Sequence, residues 1–250
     1  RPGHLGVLAS MGLVEVPVVP RPRVGVLSTG DELVEAPAPL GPGQIRDSNR
    51  HTLLALVRES GAGAVDLGRA ADDPDEIAAT LQRGLTSCDA IITSGGVSVG
   101  DFDYVTAVIE RLAAGAMTWM QVAVRPAKPL AFGVVTGVPV FGLPGNPVSS
   151  MVSFELFARP ALRHMAGRPD LDRPRVRAVA RAGLPRRPDG KIHLVRVVLT
   201  TDDDGRHQVE PVGDTGSHLL HAMALANALA VVPDGEGVLP GGDVDVMVLS

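Results

Sequence analysis

The sequence predicts an α/β fold: a three-layer α/β/α domain on a mostly parallel, mixed sheet, followed by a small all-β domain. Three observations carry this expectation. Residues 23–165 alternate short β-branched or apolar runs with segments of helical period, the pattern of a sheet covered by helices on both faces. The stretch GRPDLDRP at 167–174 is rich in proline and charge, as linkers are. Beyond it the rhythm changes to strands without long helices.

In the first domain, strands are expected at 24–27, 64–67, 89–93, 118–124, 130–135 and 138–143. A helix over 48–60 turns Leu53, Leu56 and Val57 inward and stops at Gly61. The next helix has a full start signal: Asp73 as N-cap, Pro74 in the first turn and Glu76 three residues after the cap. Ile77, Leu81 and Leu85 then share one face. A last helix runs from Pro147, bends or restarts at Pro160, and ends before Gly167. In the second domain, strands are expected at 176–182, 192–199, 208–212, 228–232 and 244–249, with a TDDDG turn at 201–205 and one short helix over 217–225. The organisation is then 1–20 as the tail of an upstream domain, 21–168 as a ligand-binding α/β domain and 175–250 as a C-terminal β domain.

Composition narrows the function. With 250 residues, 45% hydrophobic and 20% charged, the chain can bury a core and lies far from disordered compositions. Aromatic residues are only 3% and the net charge is −5, shared by both halves. Stacking platforms and a basic face for nucleic acid are therefore not expected. The longest near-apolar run, Leu219 to Val232, is 14 residues broken by His221 and Asn227, too short to span a bilayer. The opening segment lacks the pattern of a secretory signal, because Glu15 and Pro17 follow its apolar stretch at once. Cys88 is the one cysteine, so an internal disulfide is excluded and a buried inert thiol in a reducing cytoplasm is expected. His218 and His221 read as structural, since no third ligand stands at a metal spacing.

The chemistry concentrates in three glycine-rich loops, each after a strand and before a helix: STGDEL at 28–33, TSGGVSVGDFD at 93–103 and GLPGNPVS at 142–149. In an open α/β sheet such loops gather beyond the carboxyl ends of the strands. Glycine lets backbone N–H groups approach an anion, and a helix N-terminus adds its positive dipole end. A phosphate- or oxyanion-bearing ligand is the expectation. Neither standard nucleotide signature is present, because Asp101 and Phe102 stand where a P-loop needs lysine and a hydroxyl residue. The loops carry carboxylates instead: Asp31 and Glu32, Asp72 and Asp73, Asp101 and Asp103. A carboxylate beside a phosphate needs a bridging hard cation, which points to Mg2+. For Asp73, helix capping is the preferred reading. Positive charge arrives at RPAKP, residues 125–129, where prolines stiffen a loop carrying Arg125 and Lys128. Lysine occurs only at 128 and 191, so Lys128 looks chosen as a compact cation.

The segments STGDELVE, GQIRDSNRHTLLALV, ADDPDEI, ITSGGVSVGDFDYV, VRPAKPLAFG and GLPGNPVSSMVSFELF, in that order, resemble the molybdopterin molybdenumtransferase family, which includes the gephyrin E domain. The resemblance implies insertion of molybdenum from molybdate into adenylated molybdopterin, with AMP released, Mg2+ required and the full-length protein a cytoplasmic homodimer. It carries catalytic roles onto Glu32, one of Asp72 and Asp73, Asp103 and Lys128, with Glu32 and Asp103 on the metal. Ligand-binding positions follow at Ser28, Thr29, Gly30, Asp31, Ser48 and Asn49, then at Ser94, Gly95, Gly96, Val97 and Ser98, and at Pro144, Gly145, Asn146 and Pro147. A molybdate pocket is implied around Arg125, Lys128, Pro129, Ser149, Arg196 and Ser217. Three positions depart from the family's pattern: Gln121 and Arg125 replace lysines and Ala127 replaces a glycine. Molybdenum and tungsten stay open, as do two other readings: a non-catalytic scaffolding module of the gephyrin type, and an adenylyltransferase of related fold.

Overall fold

The computed structural model describes residues 1–96, 104–113, 117–213 and 219–250. A short helix not foreseen from sequence, α1 (Pro2–Ser10), buries none of its residues. The first domain then runs β1 (Arg23–Thr29), β2 (Leu33–Val34), β3 (Ile45–Arg46), α2 (Ser48–Glu59), β4 (Gly63–Ala70), α3 (Pro74–Ser87), β5 (Ala90–Ser94) and α4 (Tyr104–Ala113). It continues through β6 (Met117–Gln121), β7 (Val124–Arg125), β8 (Pro129–Val135), β9 (Val138–Leu143), α5 (Pro147–Ser153), a π-helical turn (Phe154–Ala158) and α6 (Arg159–Met165).

Its sheet has the order β4-β1-β5-β9-β8-β6. The four strands β4, β1, β5 and β9 are parallel, and β8 and β6 continue the sheet antiparallel. One face is covered by α2 and the α5–α6 segment, where Leu53, Val57, Phe154 and Leu162 pack on Val24, Ile92 and Leu143. The other is covered by α3 and α4 through Ile77, Leu81, Val105 and Ile109. Each such side chain contributes about 1.5–3 kcal/mol of burial. The start signal of α3 works as expected: the Asp73 carboxylate accepts from the N–H groups of Asp75 and Glu76, both at 2.9 Å.

The second domain comprises β10 (Arg175–Ala180), β11 (Leu184–Pro185), β12 (Ile192–Thr201), β13 (His207–Pro211), α7 (Leu220–Leu225), β14 (Ala228–Val232), β15 (Gly237–Val238) and β16 (Gly242–Val248). The order β13-β10-β16-β14-β12 closes on itself because β12 also pairs with β13, giving a small barrel with a Val- and Ala-rich interior.

Three local expectations change. The single strand at 118–124 is two strands in two sheets: β6 is the edge of the first sheet, whereas β7 pairs parallel with β12 of the barrel. The bend near Pro160 is preceded by the π-helical turn, which relieves the missing N–H and ring clash of that proline. The helix expected from 217 begins at Leu220. The stretch at 167–174 is irregular but pinned. Arg173 bonds Glu155 at 2.8 and 2.9 Å, Glu59 at 2.6 Å and the Leu249 carbonyl at 2.6 Å. A mixed cluster of Ala127, Val148, Val152, Leu194, Met223, Leu229 and Met247 seals the barrel against α5.

Candidate functional site

Parallel pairing sets the first feature of the site. Ser28 lies opposite Ser94, and Ser94 opposite Leu143, so the three glycine loops leave their strands abreast. Gly30, Gly95 and Gly96 have φ of +143°, +93° and +68°, values that a side chain would strain. At Gly95 a Cβ would also stand 3.0 Å from the Thr29 carbonyl oxygen, so the loops can approach only because it is glycine. The result is a cleft of about 370 Å³ lined by Thr29, Gly30, Glu32, Asp72, Gly95, Gly96, Tyr104, Val105, Pro129, Pro144, Gly145, Asn146 and Ser149. Asn146 is the N-cap of α5 and Pro147 opens it, so the dipole end of that helix faces the cleft.

The acids divide by role. Asp31 and Asp72 tie two loops together, since the Asp72 N–H donates to Asp31 at 3.1 Å and the Asp31 N–H to Asp72 at 3.4 Å. Asp72 lines the cleft, while Asp73 caps α3. Glu32 lines the cleft too, and its carboxylate makes no ion pair with a described residue. Val97, Ser98, Asp101, Asp103, Ser217 and His218 lie outside the described residues. Among the described residues no group of three or more His, Cys, Asp or Glu could hold a metal ion.

The expected oxyanion pocket is divided. Pro129 and Ser149 face the first cleft, whereas Arg125 and Arg196 line a second cavity of about 350 Å³ with Pro126, Arg186, Arg187, Asp189 and His193. The cause is the split at 118–124: β7 commits Arg125 to the barrel, opposite His193, and Pro129 begins a strand of the first sheet. Lys128, exposed, stands in the short connection between the two. Ala127 is 1% exposed with φ of +101°, a conformation suited to the glycine it replaces. In the second cavity burial works against the Asp189 carboxylate, but hydrogen bonds from His193 and Lys191, all at 3.2 Å, hold its pKa at about 2. Arg186 spends its guanidinium on Asp189, Asp234 and the carbonyls of Lys191 and Pro233.

Two residues that sequence reasoning missed organise the first cleft from behind. Asp47 caps α2, accepts from Ser28 Oγ at 2.5 Å, and is bonded by the Nε of buried Arg50 at 2.9 Å. Arg50 also pairs with Asp66 and Glu35. Burial alone would raise the Asp66 carboxyl, yet the Arg50 hydrogen bond and the Gly68 N–H hold it below its ordinary value. The signal was an aspartate preceding the helix start, with an arginine three residues on. Ser48 and Asn49 do not line the cleft; Asn49 bonds Ser94 and Gly145 instead. Cys88 is buried, as expected.

Residues 25–164 match a family model described as "Probable molybdopterin binding domain", and residues 177–249 match the MoeA C-terminal region, domain IV. The chain is 43% identical over 237 residues to molybdopterin molybdenumtransferase 2 of Mycobacterium tuberculosis, covering 93% of this chain and 58% of that protein. It is 35% identical over 249 residues to the molybdopterin molybdenumtransferase of Bacillus subtilis, covering 99% and 57%. A molybdopterin biosynthesis MoeA protein from Pyrococcus horikoshii superposes with a TM-score of 0.82 at 28% identity, covering 99% of this chain and 59% of that one. The chain thus spans somewhat more than half the length of these relatives. The protein belongs to the family of probable molybdopterin binding domains, joined to a MoeA-type C-terminal region.

Proposed function

We propose that this protein acts in molybdenum cofactor biosynthesis, inserting molybdenum from molybdate into adenylated molybdopterin with release of AMP. The observation that carries this reading is the cleft in which three glycine loops and the N-terminus of α5 face the carboxylates of Glu32 and Asp72. Backbone N–H groups of the loops suit the phosphates of the adenylated pterin, and the helix end adds fixed positive potential. The names of the relatives agree with it.

Acids facing a polyphosphate-like ligand fit a hard divalent cation, because carboxylate oxygens are the ligands Mg2+ prefers. Glu32, unpaired among the described residues, would hold it, with Asp103 as the expected partner and Asp72 on the same wall. Magnesium there would offset phosphate charge and polarise the phosphoryl oxygen. Lys128, in the connection between the two cavities, would supply positive charge for molybdate, and Arg125 and Arg196 would add theirs from the second cavity. The single buried thiol, Cys88, suits the reducing cytoplasm where we place this chemistry. Among the described residues no helix is long and apolar enough to cross a membrane.

Molybdate-dependent AMP release from adenylated molybdopterin tests the reading. Glu32→Gln should lower the rate at least a hundredfold with the fold intact by circular dichroism, and wild-type release should require Mg2+. Release that is independent of both molybdate and Mg2+ would overturn it.

A further inference from the structure

The geometry points to Asn49 as a positioning residue that braces the second and third glycine loops, and so sets the width of the cleft, without touching the ligand. This rests on the proposed function only for the identity of the ligand. The Asn49 side-chain amide has two N–H donors. One goes to Ser94 Oγ at 2.8 Å and the other to the Gly145 carbonyl oxygen at 2.6 Å. A carbonyl can only accept, so the orientation of the amide is fixed chemically and no donor remains for a phosphate.

The two acceptors lie on different walls. Ser94 is the last residue of β5, where the second loop departs, and Gly145 belongs to the third loop between β9 and α5. The loops meet closely here, since a Cβ at Gly145 would lie 3.7 Å from Gly95 Cα. Asn49 is itself held two residues into α2 from the cap, where Asp47 is locked by Ser28 and by Arg50. One turn of helix therefore touches all three loops: Asp47 holds the first through Ser28, and Asn49 holds the second and third. A group that fixes loop positions acts on ligand affinity by preorganisation, because the unbraced loops must be ordered when the ligand binds.

Two measurements on Asn49→Ala and Asn49→Asp test this. In ligand-free protein, amide hydrogen exchange at residues 94–96 and at Leu143, Gly145 and Asn146 should quicken at least tenfold in Asn49→Ala, including the Gly95 N–H that donates to Leu143 at 3.2 Å. Exchange in β1 and β4 should stay unchanged. Unchanged exchange at the loops, or equal acceleration throughout the domain, overturns the bracing role whatever the ligand is. Calorimetric titration with adenylated molybdopterin is the second measurement. Asn49→Ala should weaken binding at least tenfold, Asn49→Asp at least as much because a carboxylate would face the Gly145 carbonyl, and Asn49→Ala added to Ser94→Ala should cost less than the product of the two single effects. Fully multiplicative losses would mean that Asn49 and Ser94 contact the ligand independently, and overturn the inference. Loosened loops in the variant together with no binding by the wild type would instead refute the proposed function and leave the brace standing.

Discussion

At the residue scale, adjacent aspartates are separated by what each accepts. Asp73 takes two backbone N–H groups of α3, so Asp73→Ala should cost about 1 kcal/mol of stability, read as a lower urea midpoint, with ligand binding retained. Asp72→Asn keeps an oxygen for the Asp31 N–H, so its midpoint should hold while Mg2+-dependent binding of adenylated molybdopterin weakens at least tenfold. The opposite pattern would exchange their roles. Lys128→Ala should raise the molybdate concentration for half-maximal insertion about tenfold, equivalent to about 1.4 kcal/mol. Arg58→Ala, an exposed charge in the last turn of α2, should leave it unchanged. Equal effects would show that only bulk charge matters. Ala127 has the same residue-level logic in its backbone: with φ of +101° and almost no exposure, Ala127→Val adds branching that this region tolerates worst, at a cost of about 1–3 kcal/mol.

At the scale of elements, what could be read in advance depended on where an element's partners lie. The helix α3 was legible because its cap, first-turn proline and apolar face are all local. The three glycine loops were legible for the same reason. The fate of 118–124 was not, because β7 is a strand only by virtue of β12, some seventy residues later and in another sheet. That one pairing also explains why Arg125 and Pro129, four apart in sequence, face different cavities. Asp47 and Arg50 escaped notice because their partners Ser28, Glu35 and Asp66 come from three separate segments. The loop before β12 makes a pH prediction. Asp189, held at about 2 against an ordinary 3.8, stabilises the barrel above about pH 4 and loses that contribution as the pH falls through about 2. Asp66, Asp170, Asp202 and Asp234 are lowered too, so the melting temperature should be flat near neutrality and drop below about pH 4. Asp189→Asn should flatten part of that acid limb, and an identical limb would remove Asp189 from the account.

At the scale of the whole molecule, the two halves are joined by three kinds of contact that reinforce each other. The β7–β12 ladder threads the first domain's chain into the barrel's sheet. Arg173, two of whose three partners sit on α2 and the π-helical turn, also holds the last strand's exit through the Leu249 carbonyl. Its carboxylate hydrogen bonds outweigh the desolvation that opposes its charge, so the guanidinium stays protonated throughout the accessible pH range. The mixed apolar cluster buries Val148 and Val152 of α5 against Leu194, Leu229 and Met247 of the barrel. An interface that is apolar at its centre and continuous with both cores should couple their unfolding. Calorimetry is therefore expected to show one transition, with the van't Hoff enthalpy equal to the calorimetric one. Leu229→Ala, fully buried at this seam, should cost about 2–5 kcal/mol and lower that single transition as a unit. Because α5 also carries Ser149 and opens at Asn146 on the cleft, the same change should loosen ligand binding from a distance. Two resolved transitions, with the variant lowering only the barrel's, would show that the seam does not couple the domains and that the cleft is held by the first domain alone.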